Sequence, residues 1–259
     1  MTMIDPMSVC SLYLFEPFPS STNGLGLVGT GFIVANNGTN YLITNWHVLS
    51  GRDWPNTNSE DPKGSFPKNV VIFFNSKTLG KWSPIPEPLY DTNGVPLWLE
   101  HNTGGTNIDV VALPLTFQSD SAQIYPLDLH LADIDMRLSP AMSVSIIGFP
   151  GNLSKPEEFP IWKTGNIASE PGIDYDNKPI ILAGVVVRKG MSGSPVIARA
   201  MGGYTDKSGN RHITVGNTDD FIGVFSAYQV DNEIAIIWKA KVISEILENG
   251  HRGTLITKQ

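Results

Sequence analysis

Ser192 lies in the glycine-rich stretch RKGMSGSPVIA at residues 188–198, between Gly190 and Gly193 and shortly before Pro195. A serine in such a turn is ordinarily a turn former. Its hydroxyl is a weak nucleophile at neutral pH, and it becomes reactive when a neutral imidazole takes its proton and a third group holds that imidazole. Ser192 is therefore a candidate nucleophile, provided that the chain supplies a base and an acid.

The base has to come from one of five histidines, at positions 47, 101, 130, 212 and 251. His47 follows the apolar run YLITNW, which predicts a position at a structured edge. A structural histidine with satisfied hydrogen bonds is the alternative for that stretch taken alone. His101 and His130 are expected in loops or at strand ends, and His212 and His251 are expected to be solvated.

The candidate acid is Asp109, at the head of the apolar run IDVVALPL. A carboxylate beside a buried strand is costly unless it is hydrogen-bonded, and a histidine N–H is one suitable donor. A strand cap is the alternative interpretation. The chain has no His-Glu-x-x-His motif and no Cys/His ligand spacing, so we expect no metal and no other cofactor.

Composition excludes several classes of protein. The chain of 259 residues has 41% hydrophobic residues, which is typical of a globular protein, and a net charge of −7, which disfavours a nucleic-acid partner. No apolar run reaches the roughly 18 residues that a membrane span needs, so no membrane partner is expected. The single cysteine, Cys10, is expected to be a small apolar residue. The N-terminal stretch lacks a basic segment, which favours a cytoplasmic location unless a leader was removed.

Short β-rich runs separated by turn residues dominate the sequence and predict an all-β fold. The predicted strands are 31–35, 40–45, 69–75, 108–115, 142–150, 161–169, 179–187, 194–199, 220–229 and 233–240. Asn-Gly between the first two predicts a hairpin. One helix is predicted, over 239–250. This pattern is typical of a sandwich or of paired barrels, and composition does not choose between them.

Three long irregular segments, at 51–68, 76–107 and 200–219, are rich in turn residues. Such segments in a compact domain are often functional. We hypothesise that they restrict access to one dedicated protein partner.

Three motifs in chain order resemble those of chymotrypsin-fold, trypsin-like serine proteases. GMSGSPV resembles the family's Gly-x-Ser-Gly-x-Pro motif, LITNWHV its Thr-x-x-His segment, and NIDVVALPL its Asp-x-Ala-Leu segment with one extra residue. GTGFIV, VSIIGFPG, TGNIAS and FIGVFSA are similar to the bacterial HtrA-like and glutamyl-endopeptidase-like branches. Few residues follow the predicted helix, so no PDZ domain is expected.

The resemblance implies two six-stranded antiparallel barrels with a C-terminal helix. We expect an N-terminal segment at 1–24, a first barrel at 25–125 carrying the histidine and the aspartate, a second barrel at 126–250 carrying the serine and the helix, and a tail at 251–259.

The family's roles carry over to the matching residues. Ser192 would be the nucleophile, His47 the general base, and Asp109 the residue that orients His47. The backbone N–H groups of Gly190 and Ser192 would form the oxyanion hole. Ser226 matches the serine that bonds the catalytic aspartate in the family.

The resemblance also implies where a protein or peptide substrate binds. Ser226, Ala227 and Tyr228 would pair with the substrate backbone as an added strand. Val186 would form the base of the S1 pocket, and with no carboxylate there we expect a small or apolar P1 residue. The alternative function is a catalytically silent binding or scaffold protein on the same fold.

Overall fold

The structure is a computed structural model, and it describes residues 4–19, 26–55, 58–61, 65–78, 80–117, 120, 122–151, 153 and 157–254. Three α-helices occur in these residues, α1 Pro6–Cys10, α2 Trp46–Ser50 and α3 Lys241–Asn249. Short 3-10 helices span Gly105–Asn107, Leu129–Ala132 and Val230–Asn232. No helix in the described ranges is long and apolar enough to cross a membrane.

Strands make up most of the regular structure. Those in the first half are β1 Ser11–Pro17, β2 Gly26–Asn36, β3 Thr39–Thr44, β4 Asn69–Ser76, β5 Trp82–Pro88, β6 Leu99–Glu100, β7 Val111–Pro114 and β8 Ala122–Gln123. Those in the second half are β9 Ser143–Gly148, β10 Ile161–Ile167, β11 Ile180–Gly184, β12 Pro195–Met201, β13 Tyr204–Thr205, β14 Arg211–His212, β15 Asn217–Gln229, β16 Ile234–Lys239 and β17 His251–Arg252.

The strands form two main sheets, which confirms the all-β, chymotrypsin-like fold class. The second sheet is a closed barrel of six strands in the order β10-β11-β16-β15-β12-β9. The first is a sheet of nine strands among the described residues, in the order β17-β6-β7-β3-β2-β1-β4-β5, with β8 on β4. One half is therefore a closed barrel and the other a sheet of another barrel.

The β2–β3 hairpin follows from its sequence. Asn37 and Gly38 have positive φ values of 48° and 79°, the left-handed pair that a type I′ turn requires. The register runs from Asn36 opposite Thr39 to Phe32 opposite Ile43. This pairing sets the end of β3, from which His47 follows.

The strand β5 was not predicted, because its sequence WSPIPEP contains three prolines. The prolines occupy alternate positions, 84, 86 and 88. Leu89, directly after the last proline, donates its N–H to the carbonyl of Lys68, directly before β4. The prolines therefore lie where no donor toward β4 is needed. Their outer edge carries no N–H at these positions, which disfavours pairing with another chain.

The N- and C-terminal portions of the described chain both pack with the first sheet. The strand β1 pairs with β2 and β4, and β17 pairs with β6, so both belong to the first sheet. The helix α3 packs on β6 and β7 of that sheet, although it follows the second barrel in sequence. One hydrophobic cluster includes Phe32 of the first sheet, Phe221 of the barrel and Ile243 of the helix. This shared core holds the halves together across the cleft.

The segment 200–219 forms a hairpin at one end of the barrel. The β12–β15 ladder runs from Pro195 opposite Val224 to Met201 opposite Asn217. Six residues of strand span about 20 Å, so the hairpin begins at the end of the ladder away from Ser192. This position does not support the hypothesis that 200–219 restricts access to the nucleophile.

Candidate active site

His47 lies on α2, a single helical turn directly after β3. Gly51 ends the helix in the left-handed conformation at φ 64°. Asn45 occupies the N-cap position without a side-chain capping bond, because its Nδ2 donates to the backbone oxygen of Asp109 at 2.6 Å. The start of the helix is thus tied to the residues just before β7, which include the candidate acid.

Asp109 meets His47 because β3 and β7 are neighbours, with Thr44 opposite Val111. Asp109 Oδ2 lies 2.7 Å from His47 Nδ1, and Asp109 Oδ1 accepts the backbone N–H of His47 at 2.9 Å. Asp109 is fully buried, whereas the His47 side chain is 22% exposed. A carboxylate only accepts, so Nδ1 carries the ring proton and the Nε2 of neutral His47 has a free lone pair.

Ser226 connects the acid to the serine of the other half. Its hydroxyl donates to Asp109 Oδ2 at 2.5 Å, and its carbonyl accepts the hydroxyl of Ser192 at 3.1 Å. A register shift between Phe225 and Ala227 places Ser226 at a bulge in β15. Among the described residues no hydrogen bond joins Ser192 Oγ to His47.

Residues 188–194, which we call the glycine turn, present Ser192 between two left-handed glycines. Gly190 has φ 95° and Gly193 has φ 87°. A Cβ on Gly193 would lie 2.0 Å from Thr30 O, so a side chain there is excluded. The turn can therefore pack directly against β2 of the first sheet.

The four carbonyl groups at the centre of the glycine turn, those of residues 189–192, have donors. Lys189 O accepts from Gly151 N at 2.9 Å, Met191 O from Ser194 N at 3.0 Å, and Ser192 O from Thr30 N at 2.8 Å. Gly190 O accepts the hydroxyl of Thr30 at 2.8 Å. In contrast, the N–H groups of Gly190 and Ser192 have no hydrogen-bond acceptor among the described residues. The two donors are free to bind an oxygen atom of a ligand.

The electrostatics favour protonation of His47. Burial lowers the pKa of the imidazole, but the charge of Asp109, its hydrogen bond and the charge of Glu60 together raise that pKa above 6.5. The ring therefore accepts a proton more readily than a free histidine, which suits a general base near neutral pH.

The structure separates the residues expected to bind substrate. Val186 is 37% exposed and lines a cavity of about 630 Å³ with residues 162–166, 184–185 and 232–234. Ser192, Ser226, Ala227 and Tyr228 do not line it. Ala227 and Tyr228 follow Ser226 on β15, and the half-buried Tyr228 packs against the barrel core. Val186 as the base of an S1 pocket stays a prediction.

The remaining histidines and the cysteine lie outside this arrangement. His101 Nε2 lies 3.0 Å from Glu245 of α3, and His212 Nε2 lies 2.8 Å from Asp206. Burial raises the pKa of the Cys10 thiol to about 11, so the thiol stays protonated. No cluster of ligand residues in the described part of the chain could hold a metal ion.

Two threonines of the first sheet contact the site without having been predicted as site residues. Thr30 bonds to Gly190 and Ser192, and Thr44 donates its hydroxyl to Thr30 O at 2.7 Å. They lie in the motifs GTGFIV and LITNWHV. A buried threonine is too common a residue to indicate such a role by itself.

Comparisons with known proteins agree with this fold. The chain resembles the active form of the Rv3671c protease from M. tuberculosis, with 15% identity and a TM-score of 0.51 over 97% of this chain and 85% of that chain. It also resembles Deg5, with 14% identity and a TM-score of 0.51 over 92% and 86% of the two chains. At these identities the likeness shows the fold alone. No curated protein matches the sequence.

A family model gives the assignment. The model described as a trypsin-like peptidase domain matches residues 29–202, about two thirds of the chain, and this range includes His47, Asp109 and Ser192. The family acts on protein or peptide substrates. The chain therefore belongs to the trypsin-like peptidase family, and it is a trypsin-like serine endopeptidase.

Proposed function

We propose that the chain hydrolyses peptide bonds through an acyl-enzyme intermediate on Ser192, with His47 as general base and Asp109 as its orienting acid. The observation that carries the proposal is the double contact of Ser226. Its hydroxyl bonds to Asp109 of the first half, and its carbonyl bonds to Ser192 of the second half. The candidate acid and the candidate nucleophile therefore contact the same residue.

The first step is attack by the serine. Ser192 Oγ turns from Ser226 O toward His47, gives its proton to His47 Nε2 and bonds to the carbonyl carbon of the substrate. The carbonyl oxygen becomes negative, and the N–H groups of Gly190 and Ser192 donate to it. His47 then protonates the leaving amine as the C–N bond breaks.

The second step regenerates the enzyme. Water attacks the acyl ester on Ser192 and gives a proton to His47 Nε2. The resulting tetrahedral species releases the carboxylic acid, and Ser192 Oγ recovers its proton from His47. Throughout, the charge of Asp109 stabilises the imidazolium that forms in each half of the reaction.

The substrate would lie beside β15, where Ser226, Ala227 and Tyr228 supply backbone groups for an added strand. We infer a small or apolar P1 side chain, because the residue that matches the base of the family's S1 pocket is the uncharged Val186. A digest of a peptide library tests this preference by the residue on the N-terminal side of each cut.

Fluorophosphonate labelling tests the triad. Wild-type protein should label and Ser192→Ala should not, with circular dichroism showing that both are folded. In the alternative, a silent binding protein, the hydroxyl of Ser192 would stay on Ser226 O and would not react. Folded wild-type protein that does not label would support that alternative.

A further inference from the structure

Thr30 of the first sheet is fully buried and bonds to the glycine turn of the other half through both its backbone and its side chain. Its backbone N–H donates to Ser192 O at 2.8 Å. Its hydroxyl donates to Gly190 O at 2.8 Å and accepts the backbone N–H of Phe149 at 3.1 Å. One side chain thus joins three separate segments of the chain.

Phe149 leads into the residues that hold the other side of the turn. Two residues later, Gly151 N donates to Lys189 O at 2.9 Å. The C=O and N–H of a trans peptide point in opposite directions, so this bond directs the N–H of Gly190 away from Gly151. The hydroxyl of Thr30 therefore holds Gly190 directly through its carbonyl. Through Phe149 it also holds the segment whose Gly151 bonds to Lys189 O on the other side of the turn.

We propose that Thr30 is a positioning residue for the oxyanion hole, whose hydroxyl keeps the N–H of Gly190 aimed at the substrate carbonyl oxygen. This inference rests on the proposed function. Oxyanion stabilisation depends on donors that are already in place when charge develops, and a small misorientation weakens it. Losing the Thr30 hydroxyl leaves Gly190 O and Phe149 N without partners and allows the turn to reorient.

Two substitutions separate the hydroxyl from the methyl group. Thr30→Val keeps the shape and removes the hydroxyl, whereas Thr30→Ser keeps the hydroxyl and removes the methyl. For Thr30→Val we expect kcat to fall about 10- to 100-fold and KM to stay within about twofold. The reason is that the oxyanion hole stabilises the transition state and not the bound substrate. Thr30→Ser should stay within about threefold of wild type.

Further measurements distinguish positioning from a general loss of structure. A peptide boronic acid, which occupies the oxyanion hole, should bind Thr30→Val more weakly in proportion to the fall in kcat/KM. The pH at half-maximal kcat/KM should not move, because His47 and Asp109 keep their contacts. If Thr30→Val does not fold, Thr30→Ala leaves room for a water molecule at both unpaired groups and should show the same fall in kcat.

Each outcome decides one question. Wild-type protein that does not react with a fluorophosphonate overturns the proposed function. Reactive wild type with an equally reactive, folded Thr30→Val overturns the role of Thr30 alone. The same holds if Thr30→Ser loses as much kcat as Thr30→Val, or if only KM changes.

Discussion

Ser226 donates its hydroxyl to Asp109 Oδ2 at 2.5 Å, on the same oxygen that lies 2.7 Å from His47 Nδ1. Asp109 comes from the first sheet and Ser226 from the barrel, so this bond crosses the cleft. Both residues are buried, at 0% and 1% exposure. The bond therefore stabilises a carboxylate that water does not reach, and it fixes the plane in which that carboxylate meets the imidazole.

Ser226→Ala should weaken both stability and catalysis. The buried carboxylate loses a donor, so the free energy of unfolding should fall by about 1–3 kcal/mol. The less stabilised carboxylate attracts the imidazolium more strongly, which should raise the pKa of His47 and shift the rising limb of kcat/KM to higher pH. Urea unfolding and a pH–rate profile measure the two effects.

Ser145→Ala is the matched control for Ser226→Ala, because Ser145 shares only an exposed 3.0 Å contact with Thr164. It should change stability by less than about 0.5 kcal/mol. Equal losses in the free energy of unfolding of the two variants would show that the bond from Ser226 to Asp109 stabilises the protein no more than an exposed contact does.

Asp109→Asn should lower kcat by about 10³- to 10⁴-fold with little change in shape. The amide presents an N–H where the carboxylate accepted, so Nδ1 of the ring loses its acceptor and the proton moves to Nε2. That tautomer cannot take the proton of Ser192. Steady-state kinetics measure the loss, and a variant retaining a tenth of wild-type kcat would contradict the orienting role of Asp109.

The pH dependence of activity follows from the charges near His47. Asp109 and Glu60 outweigh burial and raise the pKa of His47, so kcat/KM should rise with pH and reach half its maximum above pH 6.5. The same shift stabilises the folded protein fully below pH 6.5, and this contribution is lost as the pH rises through the folded-state pKa. Activity and this part of stability therefore change in opposite directions.

Glu60→Gln tests the contribution of the exposed charge. It should shift the rising limb to lower pH, and the shift should shrink in high salt because exposed charges are screened. Glu248→Gln, on α3, removes an equal charge that does not act on His47 and should leave the limb in place. If Glu60→Gln left the rising limb of kcat/KM in place at low salt, this would contradict an effect of the Glu60 charge on the pKa of His47.

Short motifs made His47, Asp109 and Ser192 predictable from the sequence, because each stands beside residues whose pattern is local. Thr30 could not be found that way, since its partner Gly190 is 160 positions distant. The strand β5 was not predicted, because alternate prolines argue against a strand unless the strand that pairs with each edge is known. Local pattern thus predicts the candidate reacting groups, while the residues that hold them in place are defined by tertiary contacts.

Asp220 provides a prediction that is independent of catalysis. Burial raises the pKa of this carboxyl to about 7, although the charge of Lys207 lowers it, and the charge of Asp133 adds a smaller increase. A raised folded-state pKa favours the protonated form, so its stabilising contribution is present below pH 3.8 and is lost as the pH rises through about 7. Asp220→Asn should therefore raise the free energy of unfolding at pH 8 by about 2 kcal/mol and leave it unchanged at pH 4.

The neighbouring Asp219→Asn is the control for Asp220→Asn and should act in the opposite direction. Asp219 bonds to Arg199 at 2.6 Å, so its neutral variant loses a charge-assisted pair and should be less stable at pH 8 by about 1 kcal/mol. Urea unfolding at both pH values tests the pair. Equal signs for the two variants at pH 8 would contradict a buried carboxyl at 220.

Gly190→Ala should impair the glycine turn for two separable reasons. The φ of 95° is strained for alanine, and a Cβ would lie 2.4 Å from Phe149 O and 2.9 Å from Gly151 N. Gly202→Ala is matched for the first reason alone, because Gly202 has φ 73° and nothing within 4 Å of an added Cβ. We expect both variants to lose about 1–2 kcal/mol of stability from the backbone, but only Gly190→Ala to lose about 10²- to 10³-fold in kcat, the cost of one displaced oxyanion donor. Thermal unfolding and kinetics on the same preparations separate the two effects, and a similar kcat in both variants would mean that the N–H of Gly190 does not stabilise the transition state.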